Sequence, residues 1–303
     1  MSISKKPKIS VLLDAKPSLG ESPVWDPEHE RLYFIDATGR KIFQCSENGC
    51  ELRAWTVPAR IGSFALKKDG GAIVALKDGF YNFNFENEEL SKIPGSPRYV
   101  AGTALNDGKV DPIGRFVCGS MDLNEEKPLG SLWQVDIDYS VKKIEEGIIC
   151  SNGPCWSPEG NKFYFADSFR NRIWSYNYEL SSGKITNKKD FVLISDDRGG
   201  APDGATVDSE GCLWSVAVFD GRIRRFLPDG KLDRSIEMPV KKITSLTFGG
   251  TELDKLFVTS MAEPPLPKYP GDGPLRGSLF VIENHGVRGL PAQKFGRSEV
   301  TKI

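Results

Sequence analysis

Residues 151–177 read SNGPCWSPEGNKFYFADSFRNRIWSYN, and this stretch contains the repeating unit of the chain. A short first run ends in the turn SPEGN. The apolar run KFYFAD (162–167) follows, and RIWSYN (172–177) comes after a brief loop. The runs are short, rich in aromatic and β-branched residues, and bounded by turn-forming residues, which is typical of β-strands rather than helices. The stretch therefore predicts three successive strands joined by turns.

The same pattern recurs six times along the chain. Its apolar second runs are RLYFID (31–36), GAIVAL (71–76), RFVCGS (115–120), KFYFAD (162–167), CLWSVA (212–217) and KLFVTS (255–260). The turns before them begin at Asp26, Asp69, Asp111, Ser157, Asp208 and Gly249, in steps of 43, 42, 46, 51 and 41 residues. Steps of about 40–50 residues, each with four short strands, are typical of β-propeller blades.

The repeat predicts an all-β fold: a six-bladed β-propeller with four-stranded blades, formed by residues 1–303 as a single domain. The N-terminal run KISVLLDA (8–15) is expected to add a strand to the last blade. Such a strand would close the ring and remove an exposed sheet edge.

Composition and charge exclude several classes of protein. The 40 Lys and Arg residues balance 41 Asp and Glu residues, so nothing indicates a surface for nucleic acid or for an anionic membrane. No stretch approaches the roughly 18 apolar residues of a membrane-spanning helix. Six cysteines are too few for a disulfide-built scaffold. We expect a soluble, cytoplasmic protein with ordinary thiols; the pairs Cys45/Cys50 and Cys150/Cys155 leave a disulfide or a thiol-bound zinc as alternatives.

The first strand of each blade lines the channel of a propeller. Counting five residues back from each turn gives Glu21, Phe64, Asn106, Asn152, Asp203 and Thr244. Four of these six side chains are carboxylates or carboxamides, and oxygen ligands with two negative charges suit a hard divalent cation. The pattern predicts one divalent metal ion in the central channel. Asn-Gly and Asp-Gly are also common as plain turn dipeptides, which is the structural alternative.

Calcium is the cation that we expect, because it takes six to eight oxygen ligands and would leave positions open for water. Zn²⁺, Mn²⁺, Mg²⁺ and Fe(II) are alternatives, since oxygen-rich sites also accept them. Two segments, MDLNEEKPLG (121–130) and EPPLPKYPGDGPLRG (263–277), lengthen their blades. We expect both to be loops that cover one face of the disc, where such proteins commonly carry function.

Several motifs resemble one known family. They are LGESPVW (19–25), LNDGKVDPIGRF (105–116), SNGPCWSPEG (151–160), PDGATVDSEGCLW (202–214) and the segment 244–260. In this order they resemble the senescence marker protein/gluconolactonase/luciferin-regenerating enzyme family over nearly the whole chain. The resemblance implies a six-bladed propeller with one divalent metal ion and, in many members, hydrolysis of sugar lactones.

The resemblance also assigns roles to residues. The family's metal ligands are a Glu in GE-x-P, an Asn in S/T-N-G and an Asp in PDG, which match Glu21, Asn152 and Asp203. The family's NDGK asparagine, a contact of bound ligand or metal, matches Asn106. All four residues are among those given by counting back from the turns.

The chain departs from the family where a sugar would be held. Ala104 stands where sugar-lactone hydrolases often have an arginine, and the glutamate used with it would fall near Asn124, with Asp122 the nearest acid. The expected substrate-binding positions are therefore Asn106, Ala104, Asp122 and Asn124. A lactone with fewer hydroxyl groups, or a clamp from another loop such as Arg60 or Arg98, would account for the departure.

These residues predict a metal-dependent lactonase that opens a sugar lactone to the hydroxy acid, with the metal ion as Lewis acid and Asp203 as general base. There is no G-x-S-x-G motif, and the chain has only two histidines. The alternatives are a metal-dependent esterase or phosphotriesterase acting on a non-sugar substrate, and a non-enzymatic calcium-binding propeller. The expected partner is a small-molecule lactone, without nucleic acid or membrane, and the expected state is a monomer or small homo-oligomer.

Overall fold

The structure is a computed structural model that describes residues 6–194, 200–264, 266 and 272–297. Within these ranges 24 β-strands form six antiparallel four-stranded sheets, and one turn of 3₁₀ helix spans Ser168–Arg170. The prediction of an all-β, six-bladed propeller with four-stranded blades is confirmed. Part of the expected loop 263–277, namely residues 265 and 267–271, lies outside the described residues.

The first three blades follow the chain in order. Blade 1 contains β2 (Gly20–Asp26), β3 (Arg31–Asp36), β4 (Lys41–Ser46) and β5 (Arg53–Thr56). Blade 2 contains β6 (Ile61–Leu66), β7 (Ala72–Leu76), β8 (Gly79–Phe83) and β9 (Leu90–Lys92). Blade 3 contains β10 (Thr103–Val110), β11 (Phe116–Asp122), β12 (Gly130–Val135) and β13 (Val141–Ile148).

The last three blades include the strand from the N-terminal segment. Blade 4 contains β14 (Ser151–Trp156), β15 (Lys162–Asp167), β16 (Arg172–Glu179) and β17 (Lys184–Leu193). Blade 5 contains β18 (Ala201–Val207), β19 (Leu213–Val218), β20 (Arg222–Phe226) and β21 (Leu232–Glu237). Blade 6 contains β22 (Ile243–Gly249), β23 (Lys255–Ser260) and β24 (Leu279–Glu283), with β1 (Lys8–Leu13) outermost.

The six inner strands form a closed ring. Each of β2, β6, β10, β14, β18 and β22 contacts the inner strand of the next blade, and β22 contacts β2 again. On the outside, β1 pairs antiparallel with β24, from Lys8 opposite Glu283 to Leu13 opposite Leu279. The closure predicted for KISVLLDA is confirmed, so blade 6 combines strands from both ends of the chain.

Apolar side chains fill the space between neighbouring blades. Trp25 stacks on Phe257, with ring centroids 5.7 Å apart, and thereby joins blades 1 and 6. Trp214 meets Phe248 edge to face at 6.0 Å and joins blades 5 and 6. These tryptophans pack between blades, and such aromatic pairs stabilise the fold beyond the burial of their area.

The turn of blade 3 is held by its first residue, Asp111. Asp111 Oδ1 accepts the backbone N–H groups of Ile113 and Arg115 at 3.1 and 2.8 Å. Its Oδ2 accepts Arg115 Nε and the Tyr178 hydroxyl, each at 2.6 Å. An aspartate that bonds the backbone two residues on is a recognised turn device, and this one also joins blade 3 to blade 4.

A C-terminal strap, residues 285–297, crosses the face of the disc that carries this turn. Gly289 bridges to Asp208 of blade 5, and the Phe295 N–H donates to Leu66 O of blade 2 at 2.8 Å. The Gly296 N–H donates to Gly114 O of blade 3 at 3.0 Å. The strap therefore ties blades 5, 2 and 3 together across one end of the channel.

Two further observations on the described residues concern the cysteines and the helices. All six cysteines are free, so the disulfide alternative is wrong. None of the described residues belongs to a helix with the length and apolarity that spanning a bilayer requires.

Candidate metal centre

The inner strands are irregular where the expected site residues lie. In β10, Asn106 and Asp107 have no pairing partner on β11, because pairing stops at Leu105 and resumes at Gly108. In β18 the same happens at Asp203 and Gly204, between Pro202 and Ala205. A bulge bends its strand and redirects side chains, and bulges are over-represented beside active sites.

The structure brings four expected residues together at the start of the inner strands. Glu21, Asn106, Asn152 and Asp203 all line one pocket, from blades 1, 3, 4 and 5. The pocket is partly open to solvent and has a cavity volume of about 290 Å³. That is close to the lower end of the range of roughly 300–1,000 Å³ found for small-molecule sites.

A chain of hydrogen bonds orients the two amides. Asn106 Nδ2 donates to Asn152 Oδ1 at 3.2 Å and to Ser151 O at 3.0 Å. Asn152 Nδ2 donates to Ser168 Oγ at 2.7 Å, and the Ser168 hydroxyl donates to Pro202 O at 2.6 Å. Each amide oxygen accepts one hydrogen bond, Asn152 Oδ1 from Asn106 and Asn106 Oδ1 from Arg60, and has a second lone pair with which it could bind a cation.

Burial and mutual repulsion oppose ionisation of the two carboxyl groups. Burial, reinforced by the charge of Asp107, raises the pKa of Glu21 to about 8. Burial first and Glu21 second raise the pKa of Asp203 well above its usual range. Two carboxylates close together in a site of low polarity repel each other, and a dication between them would relieve that repulsion. Two carboxylates and two amide oxygens are also the donor set that hard divalent cations take, so these residues fit such an ion.

Asp107 supports the site by binding the backbone next to it. Its carboxylate accepts the N–H of Gly108 at 2.8 Å and that of Gly153 at 2.9 Å, and the side chain is buried. Gly153 has φ +57, and a Cβ there would lie 2.9 Å from Asp203 O. Only glycine fits this approach of β14 to β18, so Gly153 helps to determine where Asp203 lies.

The expected substrate positions do not all reach the pocket. Asp122 is 1% exposed, and its oxygens accept the backbone N–H groups of Asn124, Glu126 and Lys127 at 3.3, 3.1 and 2.8 Å. It therefore fixes the shape of the loop rather than facing a ligand. Ala104 pairs with Met121 within blade 3. Of these four expected positions only Asn106 is among the described residues that line the pocket, and Ala104, Asp122 and Asn124 are not.

Glu125 and Arg60 line the pocket instead. Glu125 follows Asn124 in the long loop of blade 3, so the sequence located the loop but not the residue. Arg60 precedes β6, and its Nη1 and Nη2 donate to Leu105 O at 3.1 Å and to Asn106 Oδ1 at 3.3 Å. Sequence reasoning gave Arg60 only as an alternative clamp, beside Arg98, which does not line the pocket.

The remaining two axis positions lie elsewhere. Phe64 lines a second cavity at the opposite end of the channel, which the strap residues Leu290 and Pro291 cover. The Thr244 hydroxyl bonds Gly20 O, and also Thr259 Oγ1 at 2.9 Å, so it joins blades 6 and 1. Counting from the turns thus gave the right register for four positions of six.

One other group of potential metal ligands lies among the described residues, at the first turn of blade 1. Asp26, Glu28 and His29 place their ligand atoms within 4.8 Å of one another. Lys294 of the strap reaches Asp26 at 3.0 Å and Glu28 at 2.8 Å. The lysine ammonium already pairs with both carboxylates and offsets one of their two negative charges, so the channel pocket is the better candidate.

Comparison with known proteins finds relatives that are consistent with one another. Residues 19–262 match the family model described as the SMP-30/Gluconolactonase/LRE-like region. Regucalcin of Xenopus laevis is 32% identical over 294 residues, covering 95% of this chain and 98% of that protein. A Bacillus subtilis (strain 168) protein named "Putative sugar lactone lactonase YvrE" is 32% identical over 282 residues, covering 92% of this chain and 96% of that protein. A solved luciferin-regenerating enzyme superposes with a TM-score of 0.90 at 26% identity, covering 96% and 99% of the two chains.

Proposed function

The chain belongs to the SMP-30/gluconolactonase/LRE-like family, and from that premise we propose that it is a metal-dependent lactonase. One observation carries the proposal: a single open pocket of the channel is lined by Glu21, Asn152 and Asp203 together with Asn106. A small-molecule lactone is the proposed partner, and the cytoplasm is the proposed location.

Glu21, Asn152 and Asp203 are the proposed metal ligands, and Asn106 lies beside them. Ca²⁺ is the cation that we favour, with Zn²⁺, Mn²⁺, Mg²⁺ and Fe(II) as alternatives, because the donors are all oxygen atoms. When bound there, the ion would supply Lewis-acid polarisation of the lactone carbonyl.

Asp203 acts as the general base in this proposal. A water molecule attacks the lactone carbonyl carbon while an Asp203 carboxylate oxygen takes its proton. The bond from that carbon to the ring oxygen then breaks, and the proton returns from Asp203 to the ring oxygen, leaving a hydroxy acid. The positive charge of Arg60 lies in the same pocket, where it would favour the oxyanion formed in between.

The Asp203→Asn variant tests the base assignment. We expect turnover to fall by about 10²–10⁴-fold, the range that a positioned general base contributes. The measurement is a pH-indicator assay of cation-loaded protein against five- and six-membered lactones, with cation binding followed separately by titration calorimetry. Asp138→Asn, at an exposed turn of blade 3, is the control. Substantial activity of Asp203→Asn with cation bound would show that another group is the base.

A binding protein without catalysis is the second candidate. One observation favours it: a solved relative from Agrobacterium tumefaciens, with a TM-score of 0.85, is titled a calcium-binding protein, regucalcin. Cation binding without turnover of any lactone, ester or phosphotriester would support this candidate over the lactonase.

A further inference from the structure

The walls of the pocket identify a class of substrate, and this inference rests on the proposed hydrolase function. We propose that the substrate is a lactone whose non-reacting part is a flat apolar ring, which packs against Phe169 and Phe219, rather than a polyhydroxylated sugar lactone.

Apolar side chains form much of the pocket wall. They include Phe169, Phe219, Met121, Leu123 and Met261. Sugar hydroxyl groups are held by paired polar side chains, and an apolar wall desolvates them without replacing the lost hydrogen bonds. A flat apolar ring has no hydrogen bonds to lose when it leaves water for this wall, and it gains contact with aromatic faces.

The polar groups of the pocket floor are already engaged with one another. The Asn106 and Asn152 amides and the Ser168 hydroxyl bond in series, and the last of them donates to a backbone carbonyl. Ala104 has no polar atom in its side chain. Apart from these groups and the two carboxyl groups of the candidate centre, Thr38, Arg60 and Glu125 supply the nitrogen and oxygen atoms of the side chains among the described residues that line the pocket. Three side chains would therefore have to recognise the several hydroxyl groups of a sugar ring.

Phe219 is held in an unfavourable backbone conformation. Its φ is +73, in the left-handed region that favours glycine or asparagine and is rare for a bulky residue. A strained backbone conformation persists where the surrounding structure enforces it, and such conformations cluster at ligand-binding positions. The phenyl ring, half exposed at the pocket, is the part of Phe219 that a glycine or asparagine would lack.

Phe169 occupies the matching place in the neighbouring blade. It lies in the 3₁₀ turn Ser168–Arg170 directly after β15, just as Phe219 directly follows β19. The inner strands of these two blades, β14 and β18, carry Asn152 and Asp203. Both phenylalanines therefore lie on the side of the pocket that holds the proposed base.

Arg60 and Glu125 come from other blades than the two phenylalanines. Arg60 precedes blade 2, which stands opposite blade 5 in a six-membered ring, and Glu125 belongs to blade 3. Asp203, the proposed base, belongs to blade 5, as does Phe219, so the reacting ester would lie next to the aromatic wall. A lactone whose ester is fused to a flat apolar ring matches this arrangement.

The first experiment compares three probes: dihydrocoumarin, δ-valerolactone and glucono-1,5-lactone. We expect kcat/KM for dihydrocoumarin to exceed those of the other two by at least about tenfold. Phe169→Ala and Phe219→Asn should each lower kcat/KM for dihydrocoumarin by about tenfold more than they lower kcat/KM for δ-valerolactone. Asparagine suits the left-handed backbone, so Phe219→Asn removes the ring without added strain. Phe191→Leu, on the outer strand β17, is the control.

Turnover of δ-valerolactone serves as the test of correct folding in each variant. A preference for gluconolactone, or equal losses for all three probes, would overturn the inference while leaving the lactonase proposal intact.

A second experiment measures binding without hydrolysis. The aromatic lactam 3,4-dihydroquinolin-2-one and the saturated δ-valerolactam are titrated calorimetrically into cation-loaded protein. We expect the aromatic lactam to bind at least about tenfold more tightly, and Phe219→Asn to abolish the difference. This result without turnover of any lactone would uphold the aromatic site and contradict the lactonase; equal binding of both lactams would overturn the aromatic site.

Discussion

At the scale of single residues, Glu21 gives the candidate centre a measurable pH dependence. Its carboxyl pKa is about 8 in the folded, cation-free protein, against a usual 4.5. Between these two values the folded protein holds more protons at this group than the unfolded chain does. Stability of the cation-free protein contributed by Glu21 is therefore present below about pH 4.5 and is lost as the pH rises toward 8.

The prediction is that the melting temperature of cation-free protein falls as the pH rises from 5 to 8, and that added Ca²⁺ removes the fall. Differential scanning calorimetry at several pH values, with chelator and with Ca²⁺, measures both. Glu21→Gln should flatten the cation-free curve, because glutamine does not titrate. If the cation-free melting temperature of Glu21→Gln fell with pH as steeply as that of the unchanged protein, the assignment would be contradicted.

The site residues that the sequence predicted differ from those that it missed in what determines their positions. Glu21, Asn106, Asn152 and Asp203 lie a constant distance along a strand from a turn, so periodicity was enough to align them. Glu125 reaches the pocket only because Asp122 binds the backbone of its own loop. No repeat encodes a loop conformation of this kind, and none encodes the left-handed φ that aims Phe219.

At the scale of elements, β14 has a bulge between Asn152 and Cys155, and there blade 4 lies close against blade 5. Gly153→Ala would add a Cβ 2.9 Å from Asp203 O and from Ala205 Cβ. Strands this close cannot move apart without shifting Asp203. We therefore expect a loss of about 1–3 kcal/mol in the free energy of unfolding and weaker cation binding.

The matched control for this variant is Gly147→Ala. Gly147 also has positive φ, at +77, but a Cβ there meets nothing within 4 Å. It should cost stability through backbone strain alone and leave cation affinity unchanged in titration calorimetry. Equal cation affinity in the two variants would show that the approach of β14 to β18 does not position the site.

The turn of blade 5 is bonded as heavily as that of blade 3. Asp208 Oδ2 accepts Trp214 Nε1 at 2.7 Å and Arg225 Nε at 2.8 Å, while Oδ1 accepts two backbone N–H groups at 3.0 Å each. Arg225 is 2% exposed, and its other guanidinium nitrogens pair with Glu210 and Asp233. Removing the Asp208 carboxylate would leave these four donors without their acceptor.

We accordingly expect Asp208→Ala to lower the free energy of unfolding by about 3–5 kcal/mol, as measured by urea denaturation. Asp69 begins the equivalent turn of blade 2 but is exposed, with only Lys67 at 3.4 Å. Asp69→Ala should cost no more than about 1 kcal/mol. Equal losses of unfolding free energy in Asp208→Ala and Asp69→Ala would show that the turn itself, rather than the buried ion pair, provides the stability.

The sequence predicted these strands and turns because turn residues recur at regular steps, and short aromatic runs favour strands. It did not predict the bulges. Pairing between β10 and β11 skips residues at Asn106 and Asp107, an irregularity decided by contacts between neighbouring blades rather than by local propensity.

At the scale of the whole molecule, blade 6 depends on the pairing of β1 with β24. Deleting residues 1–14 would remove that strand and leave the edge of β24 unpaired. We expect the melting temperature to fall by about 5–10 °C and aggregation to increase. A chain lacking only residues 1–7 retains β1 and should behave like the full chain. Unchanged stability of the longer truncation would mean that the ring does not need this closure.

The ring itself was predictable from the sequence, because six repeats of similar length have few ways to close. The strap was not predicted, since residues 285–297 carry no repeat and their path depends on the finished disc. Phe295 is 1% exposed only because blades 2 and 3 already provide the surface that it covers.

The strap has one more consequence for the proposed catalysis. Its residues Leu290, Pro291, Ala292 and Gln293 line the cavity at the far end of the channel and cover it. The candidate centre lies at the other end of the channel. On the proposed function we therefore expect the hydroxy acid to leave by the opening through which the lactone enters, so that added product inhibits turnover competitively.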